Sequence, residues 1–230
     1  MLINNTDITT FKATYLSKDI QTVNVAIYDD WLRNALNPLF LGKQETYKQI
    51  KIQLMIKDVD DESCLNNISN LVKQFEKCTI KFDDLSFYYD CTIVNKSHVR
   101  KAKWIYTLDI ELKSGYAYKL AITETMNNVA SKVIAVLGNL PTPAIVTVTV
   151  PINTSTLILT GFADSITVNN LLANVPRIID GESCTVLQAG VNKFADVDMW
   201  QFPVLQPGTN TIGVSSANCV ININYKPKYI

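Results

Sequence analysis

One imidazole and five thiols limit the chemistry open to this chain. His98 is the only histidine, so a Ser-His-Asp arrangement has to use it. It sits in the basic stretch HVRKAK, between two expected strands, and no nucleophile elbow lies near it, so a surface-loop position is expected. Cys64, Cys78, Cys91, Cys184 and Cys219 are odd in number, spaced 14, 13, 93 and 35 apart, and include no C-x-x-C pair. With a single histidine they offer no Cys/His zinc set, and they are expected as small buried apolar groups. The acidic clusters Asp58-Asp60-Asp61-Glu62 and Asp196-Asp198 have charge for a hard cation. They lack the further oxygen ligands and the glycine of a calcium loop, so helix capping and solvation are expected of them. Paired carboxylates for glycoside hydrolysis meet only in space, and no segment singles them out. Neither G-x-G-x-x-G nor G-x-x-x-x-G-K-[ST] occurs, hence no phosphate cradle, no cofactor and no metal are expected.

Two features suit binding instead. His98–Lys103 holds four cations in six residues, which could touch phosphates or could mark a hairpin tip where lysines discourage stray edge pairing. Trp200, in DMWQFPVLQPG, is either a stacking platform for a sugar ring or a core residue beside Met199, Phe202, Val204 and Leu205. The core position is the expectation.

The elements that position these residues are mostly strands. TYKQIKIQLMIKD alternates strictly, with Ile50, Ile52, Leu54 and Ile56 on one side and Lys51, Gln53, Met55 and Lys57 on the other. KWIYTLDIELK repeats the pattern through Trp104, Tyr106, Leu108, Ile110 and Leu112. Shorter strands are expected at 21–28, 79–82 and 86–94. Between them, residues 61–77 carry Leu65, Ile68, Leu71, Val72 and Phe75 at helical spacing, with Asp60 or Asp61 to cap the start and Lys73 and Lys77 to suit the C-terminal dipole. A second, weaker helix is expected from Asp30 through Leu36, ended by Pro38. Beyond residue 140 the chain reads as strand and turn, at 144–151, 155–162, 176–182, 183–190, 208–216 and 219–227. Asp180-Gly181, Ala189-Gly190 and Pro207-Gly208 supply the turns. Short strands at this spacing describe a sandwich or jelly roll.

The 230 residues carry 21 basic and 21 acidic side chains, 47% apolar and 18% charged residues. Zero net charge removes the footprint of a duplex-binding or membrane-surface protein. No apolar run is long enough to span a bilayer, and MLINNTDITTF reads as no signal peptide, so a soluble protein made in the cytoplasm is expected. The charges are unevenly spread. Residues 1–125 hold 16 of each sign and residues 126–230 hold 5 of each, while seven of eight prolines and seven of eight glycines lie at or beyond Pro141 and Gly115. That shift places a domain boundary near 125, with residues 1–125 as one domain, 126–140 as a linker and 141–230 as the second.

The C-terminal half resembles the distal tail proteins of long, non-contractile-tailed bacteriophages. The likeness is carried by LGNLPTPAIVTVTV, by IIDGESCTVLQAGVNKFADVDMWQFPVLQPGTNTI and by the terminal INYKPKYI. ELKSGYAYK is similar to the family's Pro-Tyr-Ala-Tyr signature, with Gly115 where proline is common. The likeness is specific from about Leu112 onward. It implies a mainly β protein of two β-sandwich domains. The first, with its flanking helix, would form a hexameric ring at the tail tip, and the second would be a galectin-like sandwich projecting outward. It also implies partners: the tail tube protein on one face of the ring, and the tail-associated lysin or baseplate hub on the other. Some members carry the receptor-binding protein through the outer domain. The location implied is the virion, with DNA passing through the ring, no specific nucleic-acid binding, no membrane insertion and no catalysis. A pore wall that passes DNA without sticking is expected to be neutral or acidic, with His98–Lys103 elsewhere. The rival reading is a carbohydrate-binding module, since galectin-like sandwiches bind sugars on a concave face; Trp200, Asn192, Asn210 and Asp198 are its candidates.

Overall fold

The computed structural model describes residues 1–230. They divide into two compact units, Met1–Ala117 with Ile230, and Tyr118–Tyr229.

The first unit is one antiparallel sheet with a helix packed on it. Its strands are β1 (Leu2–Ile3), β2 (Thr6–Asp7), β3 (Ala13–Ile20), β4 (Val25–Asp30), β5 (Leu39–Glu45), β6 (Lys48–Lys57), β7 (Lys77–Lys81), β8 (Tyr88–Ala102) and β9 (Ile105–Tyr118). The sheet runs β2-β1-β7-β8-β9-β6-β3, and β4 and β5 pair only with each other. The strict alternation of β6 works as expected: Ile50, Ile52, Leu54 and Ile56 are buried, and they pair with Leu112, Ile110, Leu108 and Tyr106 of β9, buried on the same face. Helix α1 (Asp61–Phe75) packs against β6, β7 and β8. Its buried stripe is Cys64, Ile68, Leu71, Val72 and Phe75. Cys64 takes the inner position at regular helical spacing from Ile68 and Leu71, which leaves Leu65 to one side of the stripe and exposed. The Asp60 carboxylate accepts the Ser63 amide at 2.6 Å and caps the helix.

β3 and β6 begin as neighbours, with Ile20 opposite Ile50, and the chain between them continues the same ladder outward. The Gln21 amide donates to the Gln49 carbonyl and the Asn24 amide to the Tyr47 carbonyl, each at 2.9 Å, before Val25 pairs with Glu45. Residues 21–47 therefore form a hairpin arm that leaves the sheet. The helix expected at 30–36 does not form. β4 runs to Asp30, a turn follows in which the Ala35 amide bonds the Leu32 carbonyl at 3.0 Å, and Asn34 is left-handed at φ 67°. Seven residues closed by Pro38 cannot offset the cost of helix nucleation.

The second unit is a sandwich of β10 (Ile122–Asn127), β11 (Ser131–Val136), β12 (Thr142–Thr149), β13 (Thr154–Thr160), β14 (Ile166–Leu171), β15 (Arg177–Asp180), β16 (Thr185–Gln188), β17 (Val191–Asn192), β18 (Val197–Asp198), β19 (Val204–Leu205), β20 (Gly208–Val214) and β21 (Val220–Tyr225); a short β22 (Lys228–Tyr229) follows outside its two sheets. One sheet runs β10-β21-β12-β15-β16-β17, with β19 also on β12; the other runs β11-β20-β13-β14-β18. Inward residues of both, such as Val146, Val148, Ile221 and Ile223 facing Leu157, Leu159, Val168 and Ile212, make one core. The stretch 126–140, expected as a linker, contains β11 and the end of β10, and Met126, Ile134 and Val136 are buried in that core. Charge falls away at 126 because the sandwich has already begun, so the compositional step lies inside the second unit rather than ahead of it.

Two turns show what their residues are for. In the four-residue turn after β15 the left-handed position is Cys184 at φ 54°, not Gly181. Gly181 is needed for a close approach, since a Cβ there would lie 2.4 Å from the Pro203 carbonyl oxygen. Gly161 meets both demands, with φ +90° and a Cβ position 2.0 Å from the Thr211 carbonyl oxygen.

Candidate interaction surfaces

The residues singled out for chemistry are occupied with structure. In the acidic cluster before α1, Asp58 accepts from Asn67 at 2.7 Å and Asp60 caps the helix. Asp61 pairs with Arg100 at 2.7 Å and accepts the Tyr106 hydroxyl at 3.2 Å. In the second cluster, Asp196 accepts from Asn170 at 2.9 Å and lies 3.6 Å from both Arg177 and Lys193. The Asn170 hydrogen bond, then Lys193 and Arg177, holds its carboxyl below the usual carboxylate range. No group of three or more His, Cys, Asp or Glu side chains is disposed to hold a metal ion. Cys64, Cys78, Cys91 and Cys219 are buried and Cys184 is exposed. Burial pushes the Cys78 thiol up to about 12, and burial likewise raises its cross-strand partner Cys91.

The stretch HVRKAK is strand rather than loop. β8 extends to Ala102 and turns back through Lys103 and Trp104, the latter at φ 62°. The alternation of β9 therefore starts at Ile105, and Trp104 belongs to the turn. His98 stacks obliquely on Tyr106, with ring centroids 6.2 Å apart. Arg100 reaches back to the first turn of α1, leaving Lys101 and Lys103 at the exposed tip. The sequence hid this length because β8 beyond Ile93 is exposed on both faces and has no buried alternation to read.

The four glycan candidates are dispersed. Trp200 is 97% exposed, against the expected core position; Met199 and Phe202 pack on the core around it, and its own amide bonds the Asp164 carboxylate at 3.3 Å. Asn192 lies on β17 at the edge of one sheet and accepts the Phe194 amide at 2.9 Å. Asp198 lies on β18 at the edge of the other sheet. Asn210 is buried, and its amide is spent on Gln206 at 2.9 and 2.7 Å and on the Gly208 carbonyl at 3.2 Å, fixing the turn into β20.

Two surfaces that the residue types did not announce stand out. On the outer face of the first unit's sheet, β3, β6, β8 and β9 form a shallow cleft of about 370 Å³ that includes Asp19, Lys51, Gln53, Asp109 and Glu111. Within it the Gln53 amide donates to Asp109 at 2.8 Å and Lys51 lies 3.7 Å from Glu111. The second surface is the arm. Val25, Ile27, Tyr28, Trp31, Leu32, Leu36, Leu39, Phe40 and Leu41 are all exposed, with Leu36 at 94%. The sequence signal was present in NVAIYDDWLRNALNPLFLG, an apolar run without one-sided alternation, but nothing in it states that no core receives these side chains.

Residues 137–229 match the family described as the siphovirus-type tail component, C-terminal domain. Among solved structures, the chain is similar to the protein in "Crystal Structure of SPP1 Dit (gp 19.1) Protein, a Paradigm of Hub Adsorption Apparatus in Gram-positive Infecting Phages", with a TM-score of 0.81 at 9% identity, over 100% of this chain and 98% of that one. It is also similar to a chain of the phage p2 baseplate in its activated conformation with Sr, with a TM-score of 0.50 at 11% identity over 95% and 92%. No curated protein matches the chain.

Proposed function

We propose that this chain, whose residues 137–229 match the siphovirus-type tail component, C-terminal domain, is a structural hub of a phage tail tip, a distal tail protein. Identical copies close into a ring of six around a channel for DNA. One face of the ring meets the tail tube protein and the other meets the tail-associated lysin or baseplate hub. The second unit faces outward, where a receptor-binding protein can dock, and the protein resides in the virion. The family match carries this reading. It is supported by a fold like that of a phage hub protein along the whole chain, and by carboxylates, thiols and the lone imidazole that serve caps, core and strand contacts. The role is assembly, without catalysis.

The test is the mass of the purified full-length chain by light scattering, together with immunogold labelling of phage tails. A mass six times the 25.7 kDa of one chain, and label at the tail tip, are expected. A chain that stays monomeric at every concentration and is absent from tails overturns the reading.

A carbohydrate-binding role for the second unit is favoured by one observation, the full exposure of Trp200. With Asn210 spent internally, that role would rest on Trp200, Asn192 and Asp198. Loss of cell-wall pull-down on Trp200→Ala, with the fold intact, is the result it requires.

A further inference from the structure

The core face of β6 does not begin on an apolar residue. Two residues before Ile50 stands Lys48, on the same side as Ile50, Ile52, Leu54 and Ile56, and it is buried at 6% exposure. A lysine usually escapes such a place by laying its stem along the core and lifting its ammonium into water, and Lys48 has too little exposed surface for that. It is also unpaired, making no salt bridge and no side-chain hydrogen bond. Burial lowers the pKa of its ammonium, and no neighbouring charge opposes the shift. The polar groups around it are engaged elsewhere. Ser114, its partner on β9, is buried and its hydroxyl donates to the Tyr116 carbonyl at 3.5 Å.

Lys48 lines a cleft of about 370 Å³ within the first unit, where the arm leaves the sheet. Ile20, Val23, Val25 and Ile230 make its aliphatic wall. Glu45, the one acidic side chain of the lining, is exposed and lies 3.7 Å from Lys43. A mostly aliphatic cleft of this size with a single fixed charge has the form of a small-ligand site. A buried cation without a counterion is costly, and a bound anion removes that cost through charge-assisted hydrogen bonds. One ammonium matches one negative charge. A phosphate dianion would leave its second charge against Ile20, Val23 and Val25, so a monocarboxylate on an aliphatic chain fits and a phosphate does not.

We propose that the cleft at the base of the arm binds an aliphatic monocarboxylate, the Lys48 ammonium donating to the carboxylate while Ile20, Val23 and Val25 cover the chain. The carboxylate belongs either to a free fatty acid or to the C-terminal aliphatic residue of a peptide. This site lies beyond the hub role and does not depend on it.

The experiment uses the full chain with ¹³C-methyl-labelled isoleucine, leucine and valine, so that the methyl groups report even from a large assembly. It is titrated with sodium octanoate, with octanol as the uncharged control, and with an acetylated alanyl-leucine peptide whose C-terminus is free or amidated. Saturable shifts at Ile20, Val23 and Val25 are expected, with octanoate binding at least tenfold more tightly than octanol. Lys48→Met is expected to abolish that preference. The variant exchanges an unpaired buried charge for an apolar chain of similar length, so its melting temperature is expected not to fall. Tighter binding of the free peptide than of octanoate assigns the carboxylate to a chain terminus, and the reverse order assigns it to a fatty acid; the amidated peptide is expected to bind at least tenfold more weakly than the free one. Equal binding of octanoate and octanol overturns the proposal, as does a preference that survives Lys48→Met. Shifts confined to Ile27, Leu36, Leu39 and Leu41 of the arm, or no saturable shift with any probe, overturn it as well.

Discussion

Arg177 shows how much a single residue can be asked to do in a nearly uncharged sandwich. Its side chain is fully buried on β15, opposite Gln188 on β16. Nε donates to the Gln188 amide oxygen at 2.9 Å, and one terminal nitrogen reaches the same oxygen, the Asn170 carbonyl at 3.3 Å and the Asp196 carboxylate at 3.6 Å. The other terminal nitrogen, Nη1, has no partner within the protein. Burial pulls its pKa down, and Asp196 pushes it back up. Arg177→Ala strands Gln188 and leaves a cavity, so a loss of about 3 kcal/mol is expected from the second unit in urea unfolding. Arg177→Met, of similar volume and without a buried charge, is expected to cost clearly less. Equal losses for the two variants contradict this account.

At the scale of elements, the turns divide into those that need glycine for space and those that need it only for φ. Gly161 needs it for both, since a Cβ there would overlap the backbone of Thr211 and Ile212. Gly190 has φ +79° with nothing within 4 Å of the Cβ position. Gly161→Ala is therefore expected to cost about 3 kcal/mol and Gly190→Ala about 1 kcal/mol, read from thermal melts of the two variants. The β13–β20 contact, where Leu159 pairs with Val214, loosens in the first case only.

At the scale of the whole molecule, the depressed carboxylates set the acid limit. The Thr9 amide lowers Asp7, the Ser63 amide lowers Asp60 and Lys18 lowers Asp84 in the first unit. In the second unit burial raises Asp180, but the Ser183 and Glu182 amides outweigh it, and Asn170 lowers Asp196. Each folded pKa lies below the unfolded value near 3.8, so each group contributes its full stabilisation above that pH. The contribution is lost as pH falls through the folded value. Both units are expected to hold a flat melting temperature from pH 7 to about 5, then to lose stability between about pH 4 and 2. A melting temperature that rises on acidification in that window refutes the assignment.

Alternation and turn chemistry are local properties, and they were readable in the chain wherever one face of a strand is buried. β6, β12, β20 and β21 and the stripe of α1 follow from the spacing of their apolar residues, because burial imposes a period of 2 or 3.6 on them. The family likeness was legible for the same reason, in turns such as NLPTP and in Phe-Pro-x-Leu-x-Pro-Gly, where few residue types satisfy the backbone. What has no period could not be read. β8 beyond Ile93 and the arm at 21–47 face no core, and the stretch 126–140, which reads as a linker, holds β11 and only the end of β10. Trp200 illustrates the limit most sharply: Met199 and Phe202 on either side of it pack on the core, yet it is exposed. Composition places an apolar residue in the chain, but only the tertiary arrangement of the sheets decides whether any surface exists for it to cover.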